Sequence, residues 1–211
     1  MKDLPVFTTE YGVASLVLKE IPYQQTAYVI IQDSLEPEKL VEECRSFCRA
    51  CGAERIYAMG HECLARYQFH TAMWQMTCGR KTLADTDAAL WPVQEKTLEN
   101  WRKIYNEKVS RLPNGAWMTL VDGNEMLQKG DGYFIHRNGE LLGIGRASVD
   151  MIDWVAALKP GAGREVVLAL NHAVTEEILR LTVASVNEKA VKLYEGLGFV
   201  KVKEISRWYR V

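Results

Sequence analysis

Two short stretches carry residue types at spacings that could do chemistry. The first is Leu158-Lys159-Pro160-Gly161-Ala162-Gly163-Arg164, which joins an apolar run (Ile152 to Leu158) to a run at helical period (Arg164 to Val174). Glycines let backbone N–H groups approach an anion closely. A helix N-terminus also favours negative charge, so such a junction can cradle phosphate oxygens. Read alone, Pro-Gly-Ala-Gly is an ordinary turn. The second stretch runs from Leu181 to Phe199. There Asn187 ends a strand and caps a helix. Ala190 is small on the inward face, and Leu193, Tyr194 and Leu197 continue that face. Gly198 supplies a left-handed stop, and Phe199 then enters the core.

The five cysteines offer a third possibility. Cys44, Cys48 and Cys51 lie at helical spacing, with His61 and Cys63 further on and Cys78 beyond. A metal site is conceivable, but the tight ligand pairs of a zinc finger are absent. Small thiols on a helix more often pack in a core, so no metal is expected. An odd thiol count fits a reducing compartment, and the expected location is cytoplasmic.

The elements that must position these residues follow from periodicity. Val13 to Ile21 and Thr26 to Gln32 read as strands, and Pro37 to Ala50 as an amphipathic helix. Arg55 to Met59 and Gln68 to Thr77 read as strands, and Gly79 to Ala88 as a polar linker. Glu95 to Val109 is a strong amphipathic helix, and Trp117 to Leu127 a weaker one. Gly132 to His136 and Glu140 to Val149 flank Asn138-Gly139, a hairpin signal. After the strand ending at Leu158 come a helix from Arg164, a strand from Ile178 to Ala184, a helix from Glu188 to Leu197 and a strand from Val200 to Arg210. The order of elements over residues 13–80 repeats over 141–211.

The run from Leu181 to Phe199 resembles motif B of the GNAT superfamily of N-acetyltransferases. There Asn, Ala, Leu-Tyr and Gly-Phe recur at the offsets held here by Asn187, Ala190, Leu193, Tyr194, Gly198 and Phe199. The resemblance extends more weakly over residues 88–211. It implies an α/β (α+β) fold: a GNAT-like mixed central sheet flanked by helices, as a tandem of a half GNAT unit and a full one. Residues 1–80 would be the degenerate half and residues 88–211 the acyl-CoA-binding domain. In the first half Ser34-Leu35-Glu36-Pro37-Glu38 stands where the second has its glycine loop. It has no glycine, and its two carboxylates would repel a pyrophosphate.

By the same resemblance the co-substrate is acetyl-CoA. Gly161, Ala162, Gly163 and Arg164 would hold its pyrophosphate, with Asn187 completing the coenzyme site. The backbone of Ala156 and Leu158 would hold the pantetheine arm in a gap between splayed strands. Family loops carry Gln or Arg where this chain has Leu158, so the loop is several residues shorter than usual, with Lys159 and Arg164 as its cations. Tyr194 matches the position of the acid that protonates the departing thiolate. Asp153 is the expected base, with Asp150, His136 and His172 as weaker candidates and Glu140 as surface. Trp154 is either core or a wall of the acceptor pocket. The implied reaction is direct attack by an amine, from a small molecule or a peptide, on the thioester in a ternary complex. The shortened loop admits a rival, a degenerate module that binds acyl-CoA without turnover.

With a net charge of -1 there is no global basic surplus to suggest nucleic acid, and no acidic tail to suggest a basic partner. No apolar stretch is long enough to span a bilayer, and Met1 to Pro5 do not begin a signal peptide. Oligomeric state is not readable.

Overall fold

The computed structural model describes residues 5–211, so the reading of Met1 to Leu4 lies outside the described residues. In chain order the elements are β1 (Val6–Thr9), β2 (Gly12–Val17), α1 (Ile21–Gln24), β3 (Thr26–Ser34), α2 (Pro37–Ala50), β4 (Arg55–Met59) and β5 (Gln68–Gly79). There follow β6 (Ala89–Pro92), α3 (Glu95–Val109), α4 (Leu120–Lys129), β7 (Gly132–Arg137), β8 (Glu140–Ala147) and β9 (Met151–Ala157). The chain ends with α5 (Gly163–Asn171), β10 (Ile178–Ala184), α6 (Glu188–Gly196) and β11 (Val200–Arg210). No helix among the described residues is long and apolar enough to cross a membrane.

Local chemistry sets most of these limits. Pro37 opens α2, where a missing N–H costs nothing, and Leu40, Val41, Cys44 and Cys48 form its buried stripe. The helix expected from Trp117 begins instead at Leu120. Thr119 accepts from the Asp122 N–H (3.2 Å) while Asp122 accepts from the Thr119 N–H (2.9 Å), a reciprocal cap that fixes the start. Asn138 and Gly139 both have positive φ (54° and 78°), as a two-residue hairpin turn between β7 and β8 requires. Two strands were not foreseen. β1 and β6 are four-residue strands, and β6 carries Pro92, which weakens a strand signal.

The chain divides into two compact units. One holds the residues through Met73 together with Glu204–Val211, and the other is Trp74–Lys203. These limits differ from the expected 1–80 and 88–211, because the long strands β5 and β11 are each divided between units. The end of β11 pairs with β4 (Tyr209 opposite Ala58). Polar composition marks loops, and pairing of this kind leaves no such mark.

In the first unit the strands run β1-β2-β3-β4, followed by the end of β11. α2 packs on this sheet, burying Leu16, Val29, Leu40, Val41, Cys44 and Cys48 in one core. Burial pushes the Cys44 thiol up to about 12 and the Cys48 thiol up to about 11, so both behave as packing groups. In the second unit the order is β5-β10-β9-β8-β7-β6, a mixed sheet in which β9 and β10 are parallel. α5 and α6 cover one face, through Val166, Leu170, Val191 and Tyr194, with Phe199 beside them. α3 and α4 cover the other, through Leu98, Trp101, Tyr105 and Met126. Apart from the short α1, the order β8-β9-α5-β10-α6-β11 repeats β2-β3-α2-β4-turn-β5, with a 3₁₀ turn at Glu62–Arg66 in place of α6.

Candidate functional site

The candidate site lies wholly within the second unit, where β9 and β10 part. Among the described residues they pair at two positions only, Arg180 opposite Met151 and Leu181 opposite Ile152, at the start of β9. Beyond that point β9 stays on β8 as far as Gly143 opposite Ala157, so its other edge is left without a strand partner.

The cause is local. In the β8–β9 ladder Arg146 opposes Trp154 and Ala147 opposes Ile152, leaving Asp153 as an extra residue. A bulge of this kind bends its strand and sharpens the twist, turning the rest of β9 away from β10. It also resets the side-chain alternation. Ile152, Val155 and Ala157 belong to the α5–α6 core, whereas Trp154, Ala156 and Leu158 belong to the α3–α4 core. Asp153 and Trp154 are the two bulged residues, whose side chains share a face, so Asp153 stands on the α3–α4 side.

The ladder corrects one expectation. The Leu158 N–H donates to the Leu142 carbonyl (2.8 Å), so Leu158, and by alternation Ala156, turn their backbone groups to β8. The groups that face the open edge are those of Val155 and Ala157. Strand direction was legible in the sequence, but which residues face which neighbour depends on the register with β8.

At the end of β9 the chain turns through Leu158 to Ala162 into α5. Gly161 has φ +81°, open to glycine at little cost, and its added Cβ would meet nothing. The Ala162 N–H donates to the Lys159 carbonyl (3.2 Å), and Val166 makes the first helical bond, to Ala162 (3.0 Å). Among the described residues the N–H groups of Gly163, Arg164 and Glu165 make no backbone hydrogen bond within the chain. Three converging donors at a helix start form an anion site. The two loop cations differ. Lys159 is ion-paired with Glu140 at the surface, whereas Arg164 is exposed and makes no ion pair among the described residues. The carboxylate of Glu165 is drawn aside by the Thr86 hydroxyl (2.6 Å) and by Arg137 (3.6 Å).

Two glycines that the sequence reading passed over hold α5 in place. A Cβ on Gly143 would lie 2.5 Å from Val166, and one on Gly145 2.4 Å from Leu170. Val166 and Leu170 are one helical turn apart, so the helix rests directly on the backbone of β8. The signal was present as Gly-x-Gly inside a strand opposite two branched residues four apart. Nothing in one sequence marks those four residues as neighbours. Gly163 in turn sits 3.0 Å, at its Cβ position, from Leu193 of α6.

The titratable groups separate clearly. The Asp153 carboxyl is raised above its usual value, chiefly because surrounding chain strips water from it even though the residue reaches solvent. A Ser148 hydrogen bond and Arg146 pull it down, and Asp131 and Asp150 push it further up. Arg146 is held by a bidentate pair with Asp131 (3.1 and 2.7 Å). Asp150 is ion-paired with Arg180 (2.6 Å), close to where the two strands still pair. Tyr194 of α6 is buried against Phe199 (ring centroids 5.8 Å apart), and burial pushes its phenol up to about 12. Its hydroxyl makes no hydrogen bond among the described residues. Asn187 caps α6, its side chain accepting from the Ala190 N–H (3.3 Å). The other candidates lie elsewhere. His136 is on β7, in tilted ring contact with Trp91 (centroids 4.8 Å apart), with β8 between it and β9. His172 is at the far end of α5, bonded to Asp85 (3.1 Å).

No protein-family profile matches the chain, and no curated protein matches it. Solved structures do. A protein of unknown function from Staphylococcus epidermidis matches with TM-score 0.62 and 12% identity, over 99% of this chain and 93% of that one. A GCN5-related N-acetyltransferase from Sphaerobacter thermophilus matches with TM-score 0.55 and 12% identity, over 94% and 76%. A tandem GNAT protein of the clavulanic acid biosynthesis pathway, solved without acetyl-CoA, matches with TM-score 0.54 and 11% identity, over 95% and 78%. The fold is therefore that of the GNAT acetyltransferases. At such identities the likeness concerns fold alone.

Proposed function

We propose that the second unit binds acyl-CoA, acetyl-CoA first among donors, and transfers the acyl group to an amine. The observation that carries this reading is the parting of β9 from β10 after Ile152 and Leu181, beside an α5 N-terminus with free amides. The open backbone of Val155 and Ala157 suits an extended amide-bearing arm, which can add to the edge like a short strand. The amides of Gly163 to Glu165, with Arg164, suit the pyrophosphate.

Asp153 takes a proton from the acceptor's ammonium, freeing the lone pair that attacks the thioester carbon. Its raised pKa makes it a better base than an ordinary aspartate. As the carbon–sulfur bond breaks, the Tyr194 hydroxyl donates to the departing sulfur. A phenol near 12 stays protonated throughout the neutral range. A free thiol ionises near about 8.5, so complete transfer from this phenol is uphill. Tyr194 therefore acts by hydrogen-bonding the developing thiolate, which leaves as such, while the second proton of the attacking nitrogen is lost to water. The unpaired thiols suit the reducing cytoplasm.

Calorimetry with coenzyme A and thiol release from acetyl-CoA over an amine panel test this reading together. Binding with amine-dependent thiol release is the expected result. Binding without release from any amine would leave the rival, a module that holds acyl-CoA and does not turn it over.

A further inference from the structure

We propose that Trp154 selects the acceptor, its indole N–H taking a neutral carbonyl oxygen that lies a few bonds from the reacting amine, so that the substrate is an α-amino amide or ester such as a peptide N-terminus. The proposal rests on the acyltransferase reading and names its acceptor class.

The indole Nε1 of Trp154 is buried and has no hydrogen-bond partner among the described residues. The polar atoms of its ring neighbours are satisfied. Tyr105, 4.4 Å away between ring centroids, donates its hydroxyl to the Ala116 carbonyl (3.1 Å). Trp101, 6.0 Å away, donates its indole N–H to the Tyr133 carbonyl (3.0 Å). A buried donor left alone is costly, and one beside a reaction centre is readily explained by a ligand that completes it. The two aromatic neighbours hold the ring on α3, leaving the donor a fixed direction.

Placement gives the chemistry. The bulge puts Trp154 on the same face as Asp153, opposite the α5 helix whose start would hold the pyrophosphate. An acceptor whose ammonium meets Asp153 therefore meets Trp154 as well. Adjacent Cα atoms are about 3.8 Å apart, so the atom that accepts from the indole must sit only a few bonds from the nitrogen. An α-amino carbonyl has that spacing. The charges nearby decide between carbonyl and carboxylate. Asp153, Asp131 and Asp150 are gathered here, while the cations Arg146 and Arg180 are already paired with Asp131 and Asp150. A free carboxylate would be repelled, whereas an amide or ester oxygen would not.

The test compares alaninamide with 3-methylbutan-2-amine, which has its shape and no carbonyl, and with alanine, which has a carboxylate. Thiol release is measured for the wild type and Trp154→Phe. Amine reactivity differs among the three, so the informative quantity is the change in preference between proteins. Trp154→Phe should lower kcat/KM for alaninamide about tenfold and leave the alkylamine within about twofold. Alanine should be the poorest acceptor of the wild type after correction for its amine. Coenzyme A affinity serves as the control for folding. An equal preference in both proteins, or alanine matching alaninamide, overturns the proposal.

A second readout does not need turnover. In a ¹⁵N–¹H spectrum the Trp154 indole resonance, assigned by its loss in Trp154→Phe or Trp154→Tyr, should move downfield with alaninamide and not with the alkylamine. If no amine supports thiol release, the acyltransferase reading falls while this titration still reports on the indole. An indole resonance unmoved by millimolar alaninamide overturns the site in either case.

Discussion

Each half of the chain contains a parallel strand pair that leads, across a turn, into a helix packed on its sheet, and the two pairs differ in where an extra residue falls along the first strand. In the first half β3 and β4 pair over the whole of β4, from Thr26 opposite Arg55 to Ile30 opposite Met59. In the second half β9 and β10 separate after two residues, where Asp153 is extra. The helix starts differ in the same sense. α2 begins at Glu36-Pro37-Glu38, whose carboxylates pair with Lys39 and Arg66. α5 begins with unpaired amides and Arg164. A closed ladder satisfies its own backbone and offers nothing to a ligand. An opened one leaves hydrogen-bonding groups that a ligand can complete. The β2–β3 ladder also has an extra residue, Gln32, but it falls after the last pair with β4, whereas Asp153 falls ahead of the part of β9 that is left open. The position of the inserted residue therefore distinguishes scaffold from site on a shared order of elements.

Several changes would sharpen or break that contrast. The largest effect should come from Tyr194→Phe, which keeps the ring against Phe199 and removes the hydroxyl. Turnover should fall by roughly 10²–10⁴-fold, toward the lower end because the proton is held tightly, and mostly in kcat. Steady-state kinetics with calorimetry for coenzyme A checks this. Unaltered kcat would remove Tyr194 from the mechanism.

Next comes Asp153→Asn, with a loss of about 10²-fold in kcat/KM. The base must be ionised, so the wild-type rate should fall as pH drops through the raised pKa of Asp153, above the ordinary aspartate range. That acid limb should vanish in the variant. Stability should move the other way. A carboxyl whose folded pKa is raised contributes stability below its unfolded pKa and loses it as pH rises through the folded value. The variant should therefore melt slightly higher than the wild type at neutral pH, and the gap should close in acid. Identical pH profiles in the two proteins would show that the base is elsewhere.

Arg164→Glu should weaken coenzyme A by about 10–100-fold, the scale of one charge-assisted hydrogen bond, and less at high salt. Unchanged affinity in a salt-dependent titration would move the pyrophosphate away from α5. The smallest effect should be none at all. Glu36→Gly with Glu38→Arg gives the first half a loop of the right charge, yet calorimetry should show the same coenzyme A stoichiometry as the wild type. A second site appearing there would mean that loop charge, not the strand gap, separates the halves.

Much of this was written in local sequence. The spans of α2, α3, β4, β10 and β11, the Asn138-Gly139 hairpin and the Asn187 cap were read from neighbours within a few positions, because helical periods, caps and turns are closed by bonds that short. The match at Asn187, Tyr194 and Phe199 lies in the half of the chain where β9 and β10 part. Pairing across strands was a different matter. Whether Asp153 opposes a partner or stands extra depends on Arg146 and Ala147, joined to it only through the β8–β9 ladder. The parting of β9 from β10 depends in turn on that bulge. The same dependence assigned Val155 and Ala157, rather than Ala156 and Leu158, to the open edge, and set α5 onto Gly143 and Gly145. Sequence determined the elements and the residue types available for chemistry. Tertiary structure decided which of their backbone groups were left unpaired, because a hydrogen bond between strands belongs to two distant segments and is spelled out in neither.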